Sequence, residues 1–283
     1  MKTLITGFNG NVGQAIVQAW PHPQQPNIVV AGRRLEDKPA NFTGGFVQLD
    51  LLNESTYAPA LQGISRLFLL RPPALADASV FAVFLDAVVQ AGVQEVAFLS
   101  VQGVEQSPKI PHHKIEQLIK DRPLSYVFFR PGYFMQNLST TLRAGIVEKH
   151  EIFLPVGKTL FNWVDVSDIG VAIAHRLTDE TPFANEIYTL TGASRAPFSE
   201  AVELLSTTLG IKITLRSPSV LSFYFTMVRA GHDKEWVKVL IMLHYLPRFS
   251  PPPPLTNDLA QLLGRPAGTL AEFIERSAEV WRG

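Results

Sequence analysis

The 283-residue sequence contains no cysteine. Disulfides, thiolate metal sites and cysteine nucleophiles are excluded, and a reducing cytoplasm is the simplest compartment for such a chain. Net charge is also missing. Lys and Arg number 25, as do Asp and Glu, so no global field holds a polyanion or an anionic membrane surface, and nucleic acid is not an expected partner. Apolar runs such as 221–228 and 237–243 fall well short of the ~18 residues a bilayer span requires, so no membrane partner is expected and a soluble chain is. Met1 leads within one residue into the strand-like Leu4-Ile5-Thr6, which leaves no room for a secretory leader. There is no internal repeat, and Pro251–Pro254 is only a stiff connector. The seven histidines are scattered apart from His112-His113, whose rings cannot both turn to one ion on a helix, so no metal site is expected. Without a Gly-x-Ser-x-Gly elbow, an acyl-transfer hydrolase has no support.

What is present is a regular alternation of β-rich runs and helix-period segments. Strands are expected at Lys2–Thr6, Ile28–Ala31, Phe46–Leu49, Arg66–Leu70, Glu95–Leu99 and Ser125–Phe129. Helices are expected between them at Val12–Trp20, Ser55–Leu61, Ser79–Ala91 and His113–Lys120. This is βαβ grammar, and it predicts an α/β fold with a doubly wound parallel sheet whose ligands lie beyond the carboxyl ends of the strands. After Arg130 the pattern loosens. A strand at Ile187–Thr191, a helix at Ser199–Leu209, a strand at Lys212–Leu215 and an amphipathic closing helix at Glu272–Trp281 predict a smaller C-terminal α+β lobe. The expected division is a Rossmann domain over 1–150, with 160–180 returning to it through Trp163–Val166 and Ile169–Leu177, and a mainly substrate-binding lobe over 181–283.

Thr6-Gly7-Phe8-Asn9-Gly10-Asn11-Val12-Gly13 places three glycines three residues apart, between the first strand and the first helix. A side chain at Gly7 would obstruct the tight turn. One at Gly10 would keep the backbone from a pyrophosphate, and one at Gly13 would push the helix off the strand. The exposed N–H groups and the helix dipole then bind phosphate. At the end of the second strand, Arg33-Arg34 stand where an NAD site carries an acidic residue. A guanidinium pairs with a 2′-phosphate and stacks on adenine, which favours NADP(H) over NAD(H). Glu36 and Asp37 follow closely, and a loop folded back would let one of them serve NAD(H) instead. After the third strand, Asp50 either accepts from the adenine amino group, with Leu51 packed on the ring, or caps the following turn.

These residues, with Phe98-Leu99-Ser100, His112–Ile119, Arg130–Asn137, Val164–Ile169, Tyr188–Gly192 and the turn Gly264-Arg265-Pro266, resemble the atypical short-chain dehydrogenase/reductase superfamily. Within it they resemble the NmrA-like group, which includes NADPH-dependent quinone, azo-dye and triphenylmethane reductases. The resemblance implies a nucleotide domain, a lobe covering the nicotinamide, and cofactor contacts that extend to Leu70, Arg71 and Pro72. It also implies that Pro131, Gly132, Tyr133 and Phe134 bring backbone amides to the nicotinamide carboxamide, and that Phe134, Met135 and Asn137 face the substrate. Typical members of the parent superfamily use a Tyr and a Lys four residues later as a proton-donating dyad. Alignment on Glu116 puts Pro108 and His112 at those positions, so the dyad is absent.

Hydride transfer to a conjugated acceptor remains open, because such an acceptor takes its proton from water. His112 either bonds the nicotinamide ribose in place of lysine or donates a proton near neutral pH. Ser100, at the end of the fifth strand, is a second candidate catalytic residue and a candidate cofactor contact. Two short apolar helices are expected around the charged turn Arg229–Glu235, as a lid over the pocket or as a homodimer surface. The expected function is NADPH-dependent reduction of a small-molecule acceptor such as a quinone or azo compound. The alternative is an NADP(H) sensor without turnover, reporting to a partner.

Overall fold

The computed structural model describes residues 1–21, 27–38, 42–73, 75 and 77–282. The chain forms two compact units, each assembled from three stretches. Met1–Pro131, Val166–Leu190 and Thr256–Pro266 make the first, and Gly132–Asp165, Thr191–Leu255 and Ala267–Gly283 the second.

The first unit is a seven-stranded parallel sheet. Its strands are β1 (Thr3–Thr6), β2 (Ile28–Gly32), β3 (Gly45–Gln48), β4 (Arg66–Leu70), β5 (Glu95–Leu99), β6 (Ser125–Pro131) and β10 (Glu186–Leu190). They lie in the order β10-β6-β5-β4-β1-β2-β3. The order reverses between β1 and β4, the crevice where doubly wound sheets place their ligands. β1, β2 and β5 are buried along their whole length, as expected of parallel strands covered on both faces. The segment Ile187–Thr191, expected in the C-terminal lobe, instead supplies β10 beside β6.

Helices α1 (Asn11–Ala19), α2 (Tyr57–Leu61), α3 (Ser79–Gln90), α4 (Pro111–Lys120), α6 (Val166–Thr178) and α10 (Asp258–Leu263) belong to this unit. α3 shows why such segments become helices. Phe81, Phe84, Leu85 and Val88 recur at helical spacing and are all buried against Leu67, Leu69, Val96 and Phe98. Each such side chain contributes ~1.5–3 kcal/mol relative to exposure. α4 starts at Pro111, whose missing N–H is one of the helix's unpaired donors in any case.

One charged pair is enclosed in this core. Arg66 is 0% exposed. Its Nε donates to Glu95 Oε2 at 2.8 Å and its Nη1 to the carbonyls of Leu177 (2.7 Å) and Asp179 (2.8 Å). The Phe183 amide donates to the other Glu95 oxygen, and the Phe183 ring lies 4.4 Å from the guanidinium.

The second unit contains β7 (Tyr133–Phe134), α5 (Arg143–Lys149), β8 (Glu151–Phe153), β9 (Leu160–Val164), β11 (Arg195–Pro197), α7 (Phe198–Leu209), β12 (Thr214–Arg216), α8 (Val220–Arg229), α9 (Lys234–His244) and α11 (Leu270–Arg276). β11-β9-β7 form one small sheet and β12-β8 another. The two expected apolar helices are α8 and α9. Ser219 caps the first by accepting from the Ser222 amide and Asp233 the second by accepting from the Trp236 amide. The closing helix, expected to run unbroken over 272–281, ends at Arg276 and tightens into a 3₁₀ turn at Ala278–Trp281. That turn delivers Trp281 into the core, where its Nε1 donates to the Leu138 carbonyl at 3.0 Å. No helix among the described residues is long and apolar enough to cross a membrane.

Candidate active site

The glycine-rich turn leaves β1 at Thr6, whose hydroxyl donates to the Phe68 carbonyl (3.1 Å) and accepts from the Leu70 amide (2.8 Å). The hydroxyl thereby ties β1 to β4 where the crevice opens. Gly7 has φ +68° and lies against the Leu70 side chain, a backbone state and a clearance that suit only glycine. Gly10 precedes α1 without any side-chain cap, so the first amides of that helix remain available to an anion. A Cβ on Gly13 would sit 2.3 Å from the Gly7 carbonyl oxygen, which is how closely helix and strand approach. Phe8 is buried edge-to-face on Phe46, and Val12 is buried in α1, while Asn9 and Asn11 are exposed. These are the features a dinucleotide phosphate cradle needs, and this chain's residues fit one.

Beyond β2 the two arginines separate. Arg34 is drawn back by Asp37 (3.4 Å) and Glu36 (3.9 Å), so both acids that a 2′-hydroxyl would need are already facing a cation. Arg33 is exposed and has no ion pair among the described residues. Asp50 Oδ1 accepts from the Leu52 amide at 3.0 Å, a turn-capping bond. The Leu51 carbonyl accepts from the Tyr57 hydroxyl.

Arg71, first beyond β4, donates from Nε to His112 Nε2 at 3.4 Å and from Nη1 to the carbonyls of Pro72, Pro73 and Leu75. His112 therefore accepts at Nε2 and carries its proton on Nδ1. Burial, and then the charge of Arg71, push it down to about 4, so the imidazole is neutral at pH 7 and poor as a proton donor. Ser100 is 2% exposed, and its Oγ has no partner among the described residues. Leaving such a hydroxyl unmet costs ~1–3 kcal/mol, and a bound ligand oxygen would recover that cost.

In the second unit, Tyr133 and Phe134 pair with Trp163 and Val164 of β9, so this segment is partly ladder rather than free loop. The Tyr133 ring packs on Phe161, Trp163 and Phe198 at 5.1, 4.9 and 5.6 Å. Its hydroxyl lies 2.8 Å from His244 Nε2, and His244 Nδ1 lies 2.7 Å from the Leu240 carbonyl. The carbonyl can only accept, so Nδ1 is protonated and the phenol donates to Nε2. Burial raises the Tyr133 pKa, opposed by a hydrogen bond from the Asn137 side chain. The phenol is thus protonated and already bonded on both sides, which leaves no proton to offer. Met135, at 1% exposed, is part of this unit's core. His244 had no local signal beyond its place on an apolar helix, and the sequence pattern did not mark it.

Burial likewise holds His244 at about 4. Both histidines bind protons more weakly folded than unfolded, so their contribution is complete above pH 6.5 and is lost as pH falls from 6.5 toward 4. The loss reaches about 3 kcal/mol for each. The melting temperature should be level from pH 7 to 8 and fall steeply below 6.5. A level profile down to pH 5 would contradict the burial of these rings.

Other motif residues brace the structure. Glu116 pairs with Arg130 at 2.6 Å, Asp168 with Arg265 at 2.6 Å, and Asp165 with Arg276. Among the described residues no group of His, Asp or Glu is arranged to hold a metal.

The description of the NmrA-like family matches residues 2–222. The chain belongs to the NmrA-like family. Among this family member's relatives is the NAD(P)H azoreductase of Xenophilus azovorans, 26% identical over 97% of both chains. Solved structures share its fold. Citrobacter sp. triphenylmethane reductase complexed with NADP(H) superposes with a TM-score of 0.84 at 22% identity, covering 98% of this chain and 99% of that one. The NADPH-dependent quinone oxidoreductase of Escherichia coli, complexed with NADPH, also gives 0.84, at 21% identity, covering 97% and 99%.

Proposed function

We propose that this NmrA-like chain is an NADPH-dependent oxidoreductase that reduces a small conjugated acceptor, such as a quinone or azo compound. The observation that carries this is a phosphate cradle at the β1–α1 turn together with an exposed Arg33 beyond β2 that has no ion pair among the described residues. The relatives named above support the same class of reaction. Bound NADPH supplies the hydride.

The chain's own residues bind and orient. The turn Thr6–Val12 receives the pyrophosphate, and Arg33 meets the 2′-phosphate, with Arg34 held aside by its acids. Leu70, Arg71, Pro72, Ser100 and His112 border the cofactor along the strand ends, with Asp50 and Leu51 beside the adenine. Pro131 ends β6 at the same strand edge. Neither His112 nor Tyr133 can release a proton at neutral pH. That restricts the reaction to acceptors that are protonated by water after reduction. A homodimer and a cytoplasmic location belong to the same proposal. Exposed Leu221, Phe225, Trp236 and Leu243 on α8 and α9 are the side chains a second copy or a bound substrate would cover.

The test is NADPH oxidation without oxygen against quinones, azo dyes and conjugated carbonyl compounds, together with equilibrium binding of NADPH, NADH and NADP⁺. Turnover with at least one acceptor is expected. Arg33→Ala should weaken NADPH binding roughly tenfold or more and leave NADH unchanged, as loss of one charge-assisted phosphate contact requires. Arg34→Ala should do less. Tight NADP(H) binding with no turnover would replace the reductase with a cofactor sensor, and equal effects of Arg33→Ala on both cofactors would remove the 2′-phosphate assignment.

A further inference from the structure

β4 and β5 run in parallel with Leu70 opposite Leu99, so Arg71 and Ser100 are the first residues beyond the paired strands. Ser100 continues the ladder by donating its amide to the Phe129 carbonyl at 2.8 Å. Alternation along a strand puts Ser100 on the face of Phe98 and Arg71 on the face of Leu69. Leu69 and Phe98 share one core cluster. The ring of Phe98 lies 6.1 Å from that of His112, which in turn holds the Arg71 Nε–H. A cation and a hydroxyl therefore lie on one face of the carboxyl edge, with the imidazole that holds the cation packed on Phe98 of that face.

Arg71, Ser100 and His112 offer donors at this edge. Arg71 is partly buried and has no ion pair among the described residues. With Nε given to His112 and Nη1 to three carbonyls, Nη2 is the position of the guanidinium fork still without a partner there. Ser100 Oγ is buried and unmatched. A partly desolvated cation on the same strand face as an unmatched hydroxyl suits an anionic oxygen.

We propose that Arg71 Nη2 and Ser100 Oγ form an oxyanion site for the acceptor, with His112 as the positioning residue that fixes the guanidinium. The acceptor class is then a quinone or conjugated carbonyl, whose oxygen becomes negative on reduction, in preference to an acceptor without oxygen. This rests on the reductase function proposed above. As NADPH is oxidised to NADP⁺, a new C–H bond forms at the end of the acceptor's conjugated system. The displaced electron pair comes to rest on its oxygen, the two donors meet that charge, and water supplies the final proton.

The other source of an anionic oxygen at this edge is a cofactor phosphate, and one binding experiment separates the two. With protein saturated by NADP⁺ at pH 7, calorimetry compares a hydroxynaphthoquinone that is anionic at this pH with the neutral parent naphthoquinone. The wild type should prefer the anion roughly tenfold or more. Arg71→Gln should reduce that preference to within about threefold, and Ser100→Ala should weaken anion binding by about threefold to tenfold, as loss of charge-assisted bonds implies. Both quinones are compared at saturating NADP⁺, so a change in cofactor affinity does not enter the anion preference. If Arg71→Gln does not fold, because its Nη1 organises the loop after β4, Ser100→Ala decides, since its Oγ bonds nothing in the described chain.

An anion preference retained in both variants overturns the site. So does a tenfold loss of NADPH affinity in Arg71→Gln with the preference intact, which would give the cation to a phosphate. A wild type that binds neither NADP⁺ nor NADPH refutes the reductase instead. In that case the same pair of quinones on cofactor-free protein still decides the anion site.

Discussion

Gly10→Ala should fold like the wild type and bind NADPH at least ~100-fold more weakly, as expected when a methyl group bars phosphate from the helix start. Gly10 has φ −86°, a value any residue adopts. An added Cβ would meet only the Gly7 carbonyl oxygen, at 3.4 Å, an ordinary contact. The melting temperature should therefore stay within about 2 °C. Gly13→Ala is the contrasting case. Its Cβ would lie 2.3 Å from the Gly7 oxygen and 2.5 Å from Phe8 Cα, so the backbone itself must move, at a cost of several kcal/mol on the order of 3. Fluorescence titration of NADPH beside a thermal melt reads both outcomes. Undiminished binding by Gly10→Ala would show that phosphate does not approach this turn.

The largest loss of stability should follow Glu95→Ala, which leaves the enclosed Arg66 charge without its carboxylate. Removing one partner of a buried, fully bonded pair costs ~3–5 kcal/mol, a fall of roughly 6–20 °C in melting temperature for a unit of this size. Replacing both residues together, Arg66→Met with Glu95→Leu, should cost less, since no charge is then stranded. The comparison is Lys238 and Glu235, 2.6 Å apart with side chains 59% and 78% exposed, where Glu235→Ala should leave the unfolding midpoint essentially unchanged. Similar costs at the two places, measured by urea unfolding, would mean that Arg66 is hydrated in solution.

Strands such as β1, β2 and β5 were legible because buried parallel strands are near-continuous apolar runs, and the helices between the strands carry a three-to-four spacing. β10 was assigned to the wrong unit for a physical reason. Its place is set by backbone pairing with β6, and Ile187, 41% exposed, gives it no buried-strand signature. The glycine turn was readable because each glycine answers a local steric need. The difference between Arg33 and Arg34 was not, since it depends on which way the short turn at Leu35–Asp37 folds. His244 and Tyr133 are linked only through the tertiary fold, and Arg66 sits in a strand whose sequence does not say what will cover it. Arg71 and Ser100 were named separately. Their kinship follows from the register of β4 with β5, which no single segment encodes.

The interleaving of the two units bears on how the chain comes into being. α1 packs on α6, and β6 pairs with β10, so the first unit needs residues near its start and others beyond 166. On a ribosome the amino-terminal strands emerge with β6 as an open edge and one face of α1 bare, and they stay so until 166–190 has been made. The last helix of that unit, α10, follows only after most of the second has been synthesised. Contacts so distant in sequence close slowly and expose an unpaired strand meanwhile. Early chain termination should therefore yield aggregating fragments rather than a free nucleotide-binding domain.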